Sequence, residues 1–570
     1  MRPPLRFLYC VAFGLIVMQP SPAADWVVTT TADNLAPGSL RSRINAAANG
    51  DVIQIPTTLG TSITLTLGEL PITKSIEIQG PNASTFSIMN FTGRVFHFRE
   101  DVMGQVTAKV SGIQITGKVT GASGINGVAG APNGTPGASA EGGGALVAVG
   151  CLVTISHCIF NGCQVIAGNG GHAYYDPEPG KSLSAWGGSG RDACGGAVMN
   201  NEGDLIIESC TFMNNFAIAG NGGDGFKGGQ GGVAGDALGG AICTGYGVSA
   251  LKVVNSTFHA NSGCAGYGGA GGDAELLSPG VQNGGNGVSG GDAKGGAIFM
   301  NRGSPDDTVD GFLHDTIVAN GLFPGQGGKG GSGKNGGANG TGYTNGVGWG
   351  GGLSRSTPPS GFPPVGGYVP VRNTIMADNF VAWRFTANGL FIAKGPDVFG
   401  SISSKGYSFF GVRDVYADGF DPLDQTGTLT MPIYPILGPL QLNGGQTPTL
   451  APLACSPVID RGSMTMLGMD QTGQVRPRLV TSGPFPSDGS DIGSVELQSY
   501  PEEAAPILNI EKVANTVVLT WPANACYILE QSMTLQNDWI NAPPSTVVGS
   551  TRRLVIFPLG DRMFFRLRRP

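Results

Sequence analysis

Charge is scarce in this chain. Asp, Glu, Lys and Arg make up only 13% of its 570 residues. The five histidines, His97, His157, His172, His259 and His314, are scattered, and the cysteine spacings have no metal-knuckle form. The apolar run at residues 7–18 is short for a membrane span, and no other segment is long and apolar enough to cross a bilayer. Glycine is abundant, at 97 residues, but the G-X-Y period is missing, which excludes collagen. The formal charge is −7. The basic stretch 505–570 leaves the rest of the chain more acidic still, which argues against nucleic acid as a partner.

Arg2 and Arg6 precede the apolar run, and Pro20-Ser21-Pro22-Ala23-Ala24 follows it. Residues 1–24 therefore read as a signal peptide cleaved near Ala23 or Ala24. The mature chain is expected to be secreted or held at the cell surface, with no integral membrane segment. Without Cys10 nine cysteines remain, an odd number that leaves at least one free thiol unless chains are crosslinked.

One pattern occurs five times between 143 and 378. Small-residue openings at Gly143-Gly144-Ala145, Gly195-Gly196-Ala197, Gly239-Gly240-Ala241, Gly295-Gly296-Ala297 and Gly351-Gly352-Leu353 lead to strand endings. These endings are Ile159-Phe160-Asn161, Thr211-Phe212-Met213, Thr257-Phe258-His259, Thr316-Ile317-Val318 and Thr374-Ile375-Met376. Self-similar units of this length signal a stacked solenoid. Units rich in β-branched residues and glycine, with no helical period, fit the coils of a parallel β-helix. One coil cannot bury its apolar face alone, so stacking supplies the core. The fold class expected is all-β: a right-handed parallel β-helix with glycine-rich insertions and a small C-terminal β-sandwich.

The expected organisation has an N-terminal cap and first coils over 25–142, repeated coils over 143–389, a further β-helix segment over 390–500, a linker at 501–506 and a sandwich over 507–570. Ser39 is placed to N-cap a short helix over 40–48 that covers the first coil. Four insertions, 164–194, 216–238, 262–294 and 321–350, separate the coils. Glycine fills 14 of the 30 residues in the last of them. Such segments cannot form cores of their own. They are expected to leave one edge of the rod, pile together and add little to its core.

Residues at equivalent repeat positions should stack. Asn215, Asn261 and Asn320 are expected to form a side-chain ladder at a tight bend. Cys158 and Cys210 are expected to lie one coil apart as free thiols, because parallel side chains disfavour the disulfide dihedral. Asp192, Asp236 and Asp292 recur just before the glycine pairs. Stacked one above another they would repel, and calcium is the cofactor that this column suggests. The alternative is that each carboxylate bonds local backbone amides. The best local acid–base cluster is Asp306, Asp307 and Asp310 with Arg302, in what reads as an ordinary loop; catalytic residues are otherwise not assignable. Tyr174, Tyr175, Trp186, Tyr343 and Trp349 fall in the insertions and are the candidates there for a binding role.

The run Asp33-Asn34 … Gly38-Ser39-Leu40-Arg41 … Ala46-Ala47-Ala48-Asn49-Gly50-Asp51-Val52-Ile53 resembles the opening of secreted bacterial right-handed β-helix proteins of the pectin-lyase-like superfamily. The Gly-Gly-Ala … Phe-x-x-Asn units resemble the repeats of polymorphic outer-membrane proteins. Residues 395–497 resemble the choice-of-anchor Q domain through Gly395-Pro396-Asp397-Val398, Asn443-Gly444-Gly445-Gln446-Thr447-Pro448-Thr449, Ser456-Pro457-Val458-Ile459-Asp460-Arg461-Gly462 and Asp491-Ile492-Gly493-Ser494-Val495-Glu496, in order. The C-terminal segment resembles small sandwich modules of secreted bacterial proteins through Leu519-Thr520-Trp521-Pro522 and Phe564-Phe565-Arg566-Leu567. These resemblances imply a secreted or surface protein whose role is adhesion, display or carbohydrate binding, with a polysaccharide or cell-surface glycan as partner. The superfamily's polysaccharide lyases and glycoside hydrolases supply the alternative.

Overall fold

The computed structural model describes residues 23–100, 104–174, 184–245, 250–275, 282–301, 311–356, 369–382, 396–413, 417–480, 487–499, 506–513, 516–522, 527–534, 539–543, 545–548, 551–556 and 563–568. Nearly all of the signal-like leader and the Arg302–Asp310 cluster lie outside them.

Among the described residues one helix, Leu40–Ala46, accompanies strands throughout. Ser39 caps that helix, its side chain accepting the Ser42 amide at 3.1 Å. Leu40 and Ile44 turn into the same apolar cluster that runs on to Ala417. The Asp51 carboxylate ties the first strand down, accepting the Ala24 and Ala48 amides and the Trp26 indole. The edge of the first layer is thus covered rather than left open to another chain.

From Asp25 to Thr428 every named strand pairing is parallel, and each strand meets its counterpart in the next repeat. Phe160 pairs in register with Phe212, then Phe258, Ile317 and Met376. Ala145 does so with Val198, Ile242, Ile298 and Leu353. A shorter five-stranded sheet carries Ala140, Ala193, Ala237, Ala293 and Gly348. The rings of Phe160, Phe212 and Phe258 stack at 4.7 Å, which is the strand spacing itself.

Three bends per repeat keep this register, and each uses a left-handed residue. The first is glycine: Gly195, Gly239 and Gly295 have φ of +65° to +66°. A side chain at Gly195 would meet the Val198 carbonyl at 2.2 Å. The second bend uses His157, Ser209, Asn255, His314 and Asn373, and the third Gly162, Asn214, Ala260, Ala319 and Asp378, all at positive φ. Non-glycine residues accept this conformation here because the layers above and below repeat it.

Two polar ladders climb inside these bends. In one, Asn215 Nδ2 donates to Asn261 Oδ1 (2.8 Å), Asn261 to Asn320 (2.9 Å), Asn320 to Asn379 (2.9 Å) and Asn379 to the Asp397 carboxylate (3.0 Å). Each carboxamide oxygen also accepts the aligned amide below. In the other, Cys158 N meets Cys210 Sγ (3.4 Å), Cys210 N meets Ser256 Oγ (3.2 Å) and Ser256 N meets Asp315 Oδ1 (2.8 Å). Cys158 and Cys210 are both free thiols, and burial pushes the Cys210 thiol well above its ordinary range.

The stretch 390–500 departs from the expected run of strands. Strands end at Thr428, and the described residues from 429 to 499 hold only isolated bridges, at Leu437↔Pro452, Gln441↔Thr449 and Met469↔Val475. This segment folds back along the second bend of the repeats. Thr211 Oγ1 donates to the Pro448 carbonyl (2.6 Å), Thr257 Oγ1 to Gln471 (2.6 Å), and Asn373 Nδ2 to the Ser463 carbonyl (2.7 Å). Asn255 donates to the Met469 carbonyl, and the Ser494 amide to Thr316. Inside the strap Arg476 and Glu496 form a fully buried pair at 2.9 Å. Burial raises Glu496 to about 7 against the pull of that arginine. The strap makes no sheet because its amides go to loops and bend residues instead of a neighbouring strand.

The C-terminal residues form two antiparallel sheets, one from Asn509–Val513, Thr516–Pro522, Thr551–Ile556 and Thr546–Val548, the other from Ile540–Asn541, Ile528–Ser532 and Phe564–Arg568. Leu519, Trp521, Leu529 and Leu554 bury one apolar cluster that both sheets share.

Candidate functional site: a glycine layer and its aspartate ladder

The described residues of the glycine-rich segments pack as regular legs. Each repeat sends one leg outward and brings another back, at 121–138, 168–191, 220–235, 266–291 and 325–346, with 175–183 and 276–281 outside the described residues. The first of these precedes the four insertions read from the sequence. Left-handed residues close the turns at Gly130, at Lys227 and Gly228, and at Asn335 and Gly336.

The outgoing leg at 220–225 bonds in three directions with a three-residue period. The amides of Gly222 and Gly225 donate to the Tyr267 and Ala270 carbonyls of the next outgoing leg. Those of Gly220 and Gly223 donate to the Arg191 and Gly188 carbonyls of a returning leg, both at 2.8 Å. Those of Asn221 and Asp224 go to the Asn169 and His172 side chains of the preceding outgoing leg. An extended chain with three residues per turn and no internal hydrogen bonds has this habit. Glycine is required where legs meet. A side chain at Gly269 would fall 2.1 Å from the Gly223 carbonyl oxygen and 2.6 Å from the Gly232 amide. At the roots of these segments Val165, Ala167, Ala217 and Ala219 bury a small apolar cluster with Ala140, Ala193 and Ala237, against the expectation of no core there; farther out the core is made of backbone.

Asp192, Asp236 and Asp292 stand where the returning legs re-enter the short five-stranded sheet. Asp192 Oδ1 accepts the Asp236 amide at 2.8 Å, Asp236 Oδ1 accepts the Asp292 amide at 2.8 Å, and Asp292 Oδ1 accepts the Val347 amide at 2.9 Å. The same device serves Asn126, Asn133, Asn169, Asn221, Asp224, Asp273, Asn283 and Asn286. The three aspartates therefore stack as expected, and each bonds a backbone amide. Burial raises the pKa of Asp192. Lys294 reaches Asp236 Oδ2 at 2.9 Å and Asp292 Oδ2 at 3.4 Å. Burial works against the charge of Lys294, but those two carboxylates outweigh it and raise its pKa. The cation that the acidic column suggested is supplied, for two of its members, by the chain. Among the described residues no group of three or more His, Cys, Asp or Glu is arranged to hold a metal ion. Lys294 was missed because nothing local marks it; its partners come from its own repeat and the one before.

The histidines do not converge. His97 pairs with Glu69 at 2.7 Å, His172 accepts the Asp224 amide, and His314 lies buried between Asn373 and Thr465. Burial holds His259 and His314 below the usual histidine range.

The aromatic side chains of the layer are largely on its surface. Trp186 is 57% exposed, Tyr343 51%, Tyr267 44% and Tyr174 37%. Trp349 differs from the expectation: it belongs to the strand Gly348–Trp349, packs on Phe399 at 4.6 Å and lies under Lys294. Tyr175 lies outside the described residues. The returning legs align Asn133, Trp186, Gln230, Asn286 and Thr341 in one column, because the amides that follow the first four donate to the carbonyl of the next member. Pro136, Ser189 and Val233 line up beside it in the same way, as do Ser289 and Thr344. The outgoing face aligns Asn126, His172, Asp224, Ala270 and Lys329. Compared with known protein families and with curated proteins, the chain matches none.

Proposed function

We propose that this chain is a secreted or cell-surface right-handed parallel β-helix, closed by a C-terminal sandwich, that binds carbohydrate through its glycine layer in adhesion or surface display. The observation that carries this reading is the pair of ordered faces on that layer, where exposed Trp, Tyr, Asn, Gln and Thr side chains repeat at one layer spacing. Aromatic faces with flanking carboxamides and hydroxyls are the chemistry that sugar rings and their hydroxyls meet. Parallel registers kept across the five repeats, and three bends in each, support the β-helix. The basic then apolar leader supports export. The resemblances to pectin-lyase-like proteins, to polymorphic outer-membrane repeats and to the choice-of-anchor Q domain agree with a surface location. A glycan array run with a polysaccharide depolymerisation screen tests the proposal. Retention of one or more glycans without new chain ends supports it. Unsaturated or reducing ends would instead make the protein a lyase or hydrolase.

A further inference from the structure

The two faces of the glycine layer differ in charge, and the difference selects a ligand. The outgoing face carries His172, Asp224, Asp273 and Lys329 among its exposed residues. The two columns of the returning face contain no ionisable side chain. One holds Asn133, Trp186, Gln230, Asn286 and Thr341, and the other Pro136, Ser189 and Val233, with Ser289 and Thr344. Trp186, Gln230, Val233, Thr341 and Thr344 are exposed. Arg191, which reaches back to the Gly137 carbonyl, and the aspartate ladder border this strip on the strand side.

We propose that the returning face of the glycine layer is a binding strip for an extended, uncharged polysaccharide, with Trp186 as its stacking platform. The inference rests on the carbohydrate-binding reading above and gives it a place and a ligand class. An exposed indole offers a flat apolar face and an N–H donor. Carboxamides both donate and accept, as hydroxyl-rich polymers require, and two columns without charge give no preference to an acidic chain. The strip is also held in advance of binding. Asn133 Oδ1 accepts the Trp186 amide at 2.8 Å, and Asn286 Oδ1 accepts the Thr341 amide at 2.9 Å and the Thr341 hydroxyl at 3.1 Å. Those bonds fix each carboxamide in one orientation. The legs beneath are locked by backbone contacts that admit no side chain. Little ordering is left for the ligand to impose, which favours affinity from a shallow surface.

The test is a calorimetric titration of the full chain with linear glucan, mannan and xylan, with polygalacturonate as the acidic control. The parent should bind at least one neutral polymer and not polygalacturonate. Trp186→Ala should weaken that binding at least about tenfold, as loss of a central aromatic anchor does, while Trp186→Phe retains most of it. Tyr267→Ala, on the outgoing face, should bind as the parent does. Trp186 is exposed, so equal melting temperatures for parent and variants will separate a lost contact from a lost fold. Unchanged binding by Trp186→Ala, equal losses from Trp186→Ala and Tyr267→Ala, or a preference for polygalacturonate overturns this site and leaves carbohydrate binding standing. A parent that binds no glycan, neutral or acidic, overturns the broader reading as well.

Discussion

Phe212 and Gly223 belong to the same repeat and are held by opposite means. Phe212 is buried between two other phenylalanine rings, and its contribution is apolar area and ring contact. Gly223 contributes no side chain; its amide donates to the Gly188 carbonyl and its carbonyl accepts the Gly232 amide. Both regions climb with the same register. The strand layers could tolerate a change of side chain at the cost of packing. The glycine layer admits a side chain where legs touch only by shifting backbone, since backbone is what fills the space. Repetition, and not hydrophobicity, is what the two regions share.

Substitutions can break this comparison on either side. Phe212→Ala should cost most, about 3–5 kcal/mol in reversible denaturation, because the cavity lies in a fully buried stack. Gly269→Ala should cost about 1–3 kcal/mol by overpacking. Gly342→Ala, whose added carbon finds nothing nearer than 3.7 Å, should change little. Equal stability of the two glycine variants would mean that the layer is not close-packed in solution. Asn261→Ala removes a rung between Asn215 and Asn320 and leaves buried groups unpaired, at about 1–3 kcal/mol.

The end of that ladder makes a prediction in pH. Burial outweighs three donors, the Asn379 side chain, the Asn379 amide and the Val412 amide, and raises Asp397 to about 7. A carboxyl raised in the folded state holds its proton there while the unfolded chain has lost it. Its stabilising effect is therefore complete below about pH 4 and is lost as pH rises toward 7. Asp397→Asn should flatten the fall in stability between those values, read from denaturation at several pH values. A small effect is expected at Lys294. Its ion pairs are partly exposed, so Lys294→Met should cost about 1 kcal/mol or less. Calcium should leave the melting temperature of the parent unchanged. A calcium-dependent rise in the parent would show that the ammonium does not satisfy the aspartates.

Repeat positions were legible wherever chemistry recurred at fixed spacing. The Asn215, Asn261 and Asn320 column and the stacking of Cys158 on Cys210 followed from the repeat alone. The same count misses Asn379, because the sequence pattern sets Thr374 against Thr316 where Ile375 is its partner, and misses Asp397, because the final rung changes residue type. The motifs Thr447-Pro448-Thr449 and Asp491-Ile492-Gly493-Ser494 stood out without showing why. Their atoms bond Ser209, Thr211, Asn373 and Thr316, far back in the chain. Asp192, Asp236 and Asp292 were found by recurrence, but the choice between a cation and a backbone amide was left open.

The amino-acid sequence by itself determined the unit of the fold: an apolar strand pattern too short to bury itself, a glycine that allows a left-handed bend, a capped helix at the start and alternating strands at the end. These are local properties, set by residue type and spacing. The tertiary structure alone decided that the glycine-rich segments become a second layer, that the described residues of 429–499 turn back as a strap, and that Lys294 neutralises two of the aspartates. Each depends on which backbone donor meets which acceptor from another repeat. A low-hydrophobicity segment carries no side-chain signal of that partner, because every glycine offers the same amide and carbonyl, and only the neighbouring chain determines where they bond.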